Sequence, residues 1–179
     1  MHKPELEAEL SGKGAYVQID ILNRFLRLMP PHEMRKFAWE KLAKVYMEQR
    51  MFRDASQAYQ SIAVNSTTFR EKSGNYILCA KALIEGGFFE DAERALKRAL
   101  GEANIEQKKE VMKEIKNFYK ELGNDLVMKD KRNKATIYYE KFLKQNEVAE
   151  DERVAVKEKL KVIYESLGKV SEIKWLDGI

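Results

Sequence analysis

The feature that most constrains this chain is a spacing that recurs. Trp39, Leu42, Ala43 and Tyr46 are followed by Ala55 and Tyr59. Intervals of three and four residues place the first group along one stripe of a helix and the second along a following helix. Arg50-Met51 lies between them, where the chain must turn. The small Ala55 lets the second helix approach closely, and Tyr59 fills space one turn later. The pattern then returns. Tyr76, Cys79, Ala80 and Leu83 precede Ala92, Leu96 and Ala99, with Gly86-Gly87 at the turn. Tyr119, Leu122, Gly123 and Leu126 precede Ala135 and Tyr139, with Asp130-Lys131 at the turn. Lys157, Leu160, Lys161 and Tyr164 precede Ile173, with Gly168 at the turn. Copies in register predict stacked helical hairpins, each burying its apolar face against its neighbours.

The spacing W-x2-L-A-x2-Y, then A-x3-Y, resembles the tetratricopeptide repeat, W-x2-L-G-x2-Y…A-x3-F. The resemblance covers residues 36 to 179, as three full copies and a truncated fourth. It implies an all-α fold: a right-handed α-α superhelix of about eight or nine antiparallel helices, closed by N- and C-terminal capping helices. The small residues at 55, 92 and 135 are spaced by 37 and then 43 residues. The family period is about 34, so these repeats are loose and their helices long. In repeat style the chain also resembles the soluble NSF attachment proteins.

Along the chain, residues 1–12 lack periodicity and predict a flexible start. Residues 13–179 then read as a single repeat domain. A helix from about Gly14 to Met29 carries Tyr16, Ile19, Leu22, Phe25 and Leu26 on one face. It reads as a cap, or as the second helix of a degenerate leading repeat. Pro30-Pro31 ends it and opens the next. Hairpins follow at about 31–65, 67–101, 104–146 and 150–178. Thr68 with Glu71, and Asn104 with Gln107, are capping-box patterns. The last short helix offers Ile173, Trp175 and Leu176 as a closing lid.

The 179 residues suffice for a real core. No run of about 18 apolar residues exists, so no membrane span is expected. The polar, acidic first residues do not read as a secretory signal. The single Cys79 fits a reducing cytoplasm and reads as a small core hydrophobe. The net charge of +4 is spread along the chain. Residues 1–100 hold 16 basic and 13 acidic side chains, and residues 101–179 hold 17 and 16. His2 and His32 are far apart, no phosphate-binding glycine loop appears, and no serine has a histidine base. The sequence therefore predicts a protein that is not an enzyme, with no catalytic residue, cofactor or metal.

The resemblance assigns the first helix of each hairpin to an inner, partner-binding surface. It implies Phe37, Lys44 and Met47 from the first repeat, Ile77, Lys81 and Ile84 from the second, and Lys120, Asn124 and Val127 from the third. Aligned lysines beside the row Met47, Ile84 and Val127 suit a protein or peptide with acidic and hydrophobic side chains. The family's chaperone-carboxylate clamp is not expected. Lys120 and Asn124 match its first two members, but Lys159 stands where asparagine is needed. The expectation is a protein-interaction scaffold. The alternative is an RNA- or ribosome-associated helical repeat, suggested by the pI near 8.9 and the lysines of 104–120.

Overall fold

The computed structural model describes residues 2–101, 103–146 and 148–178. Among the described residues there are ten helices and no strand. The fold is all-α, and each helix packs mainly on its sequence neighbours. The chain divides into two compact units, residues 1–108 and 109–179. That differs from the single domain expected over 13–179. The division falls in the early turns of the seventh helix, where Glu106 to Glu110 are mostly exposed and charged.

The first unit holds α1 (Lys3–Leu10), α2 (Ala15–Arg27), α3 (His32–Glu48), α4 (Phe52–Asn65), α5 (Phe69–Glu85) and α6 (Phe89–Leu100). The helix α1 was not expected. Only Leu6 and Leu10 mark it as amphipathic, yet Leu6 is 0% exposed. Both leucines join Leu22, Phe25, Ala38 and Leu42 in one apolar cluster, against which Trp39 and Tyr59 pack half-buried. Lys41 of α3 donates to Glu7 of α1 at 2.7 Å. The start is thus the first helix of a leading hairpin rather than a flexible tail.

The second unit holds most of α7 (Ile105–Met128), with α8 (Arg132–Leu143), α9 (Glu150–Ser166) and α10 (Val170–Asp177). Fully buried Tyr139, Phe142, Leu160 and Tyr164 form its centre. The Tyr164 hydroxyl donates to Glu140 at 2.8 Å, tying α9 to α8. Burial, then that carboxylate, raises the Tyr164 pKa well above the usual phenol range. Of the expected closing lid, Leu176 is buried, Ile173 half-buried and Trp175 exposed.

The hairpins α3–α4, α5–α6, α7–α8 and α9–α10 share one turn. In each, the residue two places past the first helix adopts positive φ: Arg50 at 59°, Gly87 at 80°, Asp130 at 52° and Gly168 at 67°. The next N–H then bonds a carbonyl five residues back. Met51 bonds Tyr46 and Phe88 bonds Leu83, both at 2.8 Å. Lys131 bonds Leu126 at 2.8 Å and Lys169 bonds Tyr164 at 2.9 Å. This is the Schellman closure, which satisfies carbonyls at a helix end. Its acceptors are the last residues of the recurring sequence stripe, so the spacing and the turn are one repeat. Both predicted capping boxes bear on their helices. The Thr68 side chain accepts from Glu71 N–H at 3.3 Å. Asn104 and Gln107 cap each other's backbone N–H at 2.9 Å.

Candidate functional site

The expected inner row of the first unit is closed at its two isoleucines. Ile77 is 8% and Ile84 0% exposed. The helix α5 packs on both α4 and α6, which covers more of its circumference than the spacing alone implies. These two isoleucines are core residues and present no apolar row to a partner, contrary to expectation. Phe37 is half-buried, with the Lys3 and Lys41 ammonium groups 5.6 and 5.0 Å from its ring centre. Lys44 is exposed, while Met47 and Lys81 are half-buried.

In the second unit the expected residues divide. Lys120, with Lys116 one turn earlier on α7, donates to the Glu152 carboxylate of α9. Hydrogen bonds from Lys116 and then Lys120 hold the Glu152 carboxyl below the usual range. Lys120 is therefore a fastener between helices rather than a free cation. Asn124 and Val127 instead line a groove of about 610 Å³ between the end of α7 and α9.

The floor of the groove includes the core residues Tyr139 and Ile163, while its exposed apolar side chains stand at positions that the core does not claim. Val127, Met128 and Val162 line it and are 36%, 78% and 65% exposed. On α9 the core stripe is Val156, Leu160, Ile163 and Tyr164, so Val162 falls outside it. Three large apolar side chains meeting on a charged surface are the local exception to a solvated face. The polar rim is ordered. The Asn124 amide oxygen accepts from the Tyr139 hydroxyl at 2.8 Å and from the Lys159 ammonium at 2.9 Å. Burial pushes the Tyr139 phenol pKa up, so it remains a donor. Arg132 stands at the same groove, with its Nε 3.1 Å from Asp130. Lys159 and Arg132 stand beside the single lining carboxylate of Glu158, and Arg132 is shared with Asp130 just outside the lining.

The contribution of α9 was missed from the sequence, although an off-stripe valine beside Lys161 was a visible signal. Among the described residues, no group of three His, Cys, Asp or Glu is placed to hold a metal. No helix among them is long and apolar enough to cross a membrane. Compared with protein-family models, curated proteins and solved structures, the chain matches none of them.

Proposed function

We propose that this protein is a non-catalytic helical-repeat scaffold of the tetratricopeptide kind, acting in the cytoplasm, that holds a segment of a partner protein in the α7–α9 groove. The observation that carries the reading is the exposed apolar trio Val127, Met128 and Val162 beside Lys159 and Arg132. An apolar side chain of the partner gains burial against the trio, at about 25 cal/mol per Å². A carboxylate close to it in sequence meets the two cations, which sets register and association rate. The occupant is thus a short segment pairing a large apolar residue with Asp or Glu.

The RNA-binding alternative loses support from the same geometry. Lys116 and Lys120 are both committed to Glu152, which removes two cations from the lysine-rich helix. Selection from a random peptide library against the full chain tests the proposal. The expected ligands carry an apolar residue within a few positions of an acid, and Val162→Asp abolishes their binding without unfolding the chain. Ligands that bind the variant equally well overturn it.

A further inference from the structure

A second cleft lies in the first unit, between α4 and α6 above α5, with a volume of about 250 Å³. Three guanidiniums border it: Arg53 from α4, and Arg94 and Arg98 one turn apart on α6. All three arginines are exposed at its mouth. Asp91 is the one carboxylate among the lining residues, and it pairs with Arg94. The cleft therefore carries an excess of two positive charges.

Two of the arginines are positioned by aromatic rings, which hold a guanidinium without neutralising it. Arg53 lies 4.2 Å from the Phe88 ring centre, and Arg98 lies 6.0 Å from that of Tyr76. Neither makes an ion pair with a carboxylate among the described residues. The floor adds no negative charge. It is formed by Tyr76, Leu83 and Cys79, and burial pushes the Cys79 thiol up to about 11. On the α4 side, the Gln57 and Gln60 amides line the cleft three residues apart. Each has both a donor and an acceptor for a peptide backbone.

We infer that this cleft binds a phosphate monoester dianion carried on a serine or threonine side chain of a partner segment. A phosphorylated hydroxyl carries close to two negative charges and three acceptor oxygens, matching the excess charge and the guanidinium forks. The two glutamines give the flanking backbone a place to bond, which a free phosphate would leave unused. The site is separate from the α7–α9 groove, so it stands whatever that groove binds.

The test is a titration of the full chain, followed by the arginine side-chain N–H resonances in NMR. The probes are an acetylated, amidated Gly-Gly-phosphoserine-Gly-Gly peptide, its unphosphorylated form, and inorganic phosphate. The expected result is a saturable shift of Arg53, Arg94 and Arg98 with the phosphopeptide, none with the serine peptide, and weaker binding of inorganic phosphate. Arg98→Gln weakens the phosphopeptide about tenfold, while Arg98→Lys, which keeps the charge but loses the fork, weakens it less. Circular dichroism confirms that both variants are folded. Equal affinity for inorganic phosphate overturns the side-chain assignment. Absence of a saturable shift, or an undiminished one in both variants, overturns the site.

Discussion

Gly123 of α7 lies so close to the ring of Tyr139 on α8 that a Cβ added at residue 123 would sit 2.6 Å from Tyr139 Cε1. The ring has little freedom to retreat, because Tyr139 is buried and its hydroxyl is held by Asn124. Ala43 and Ala80, at the equivalent places in the earlier hairpins, are completely buried too. In the third hairpin the small residue of this spacing thus marks a close approach of the two helices. Gly123→Ala gains about 1 kcal/mol of helix propensity, but overpacking costs about 1–3 kcal/mol. The variant is expected to be less stable in urea unfolding, against the propensity trend. A more stable variant would mean that the ring moves aside freely.

The shared turn makes a prediction of opposite sign at two kinds of residue. Arg50 and Asp130 hold positive φ with a side chain, while Gly87 and Gly168 hold it without one. Left-handed backbone costs a non-glycine residue about 1 kcal/mol. Arg50→Gly is therefore expected to raise stability by somewhat under about 1 kcal/mol, since glycine also loosens the unfolded chain. Gly87→Ala is expected to lower it by about 1 kcal/mol or more. Thermal unfolding of the two variants reads both signs, and a common sign would separate the turns into different structures.

Glu152 fastens α7 to α9 through two lysines, and its sign with pH follows from its depressed pKa. The carboxylate contributes stability in full above its unfolded pKa and loses that contribution as pH falls through the folded value. Glu152→Gln is expected to cost about 2 kcal/mol at neutral pH, because it leaves the buried Lys116 without its carboxylate. The wild type should lose stability faster than the variant as pH is lowered below about 4.3. Urea midpoints across that range measure the convergence, and parallel curves would show that the pair contributes nothing.

What could be read from the sequence was local. Helix stripes, the Thr68 and Asn104 caps and the turn glycines depend on residues a few positions apart, and each appears where its spacing put it. What could not be read depended on which side of a helix its neighbours cover. Ile77 and Ile84 stand at positions that the repeat resemblance gives to the inner surface, yet α5 is packed on both sides and they are core. Lys120 fits a row of free lysines until Glu152, 32 residues away, claims it. Phe37 is bordered by Lys3 of α1, a helix with two apolar residues too few to show a stripe. Asn124 and Val127 were expected at a surface through the repeat resemblance, and the residues that line the groove with them, Lys159 and Val162, belong to the next hairpin.

The groove is the central claim, and methyl NMR of the full chain during titration with a library-selected apolar–acidic peptide tests it most directly. The account predicts that the methyl signals of Val127, Met128 and Val162 shift together and saturably, that Met47 in the first unit does not move, and that Val162→Asp removes the response. Saturable shifts at Met47 with the α7–α9 trio unmoved would contradict it and place the binding surface on the first unit.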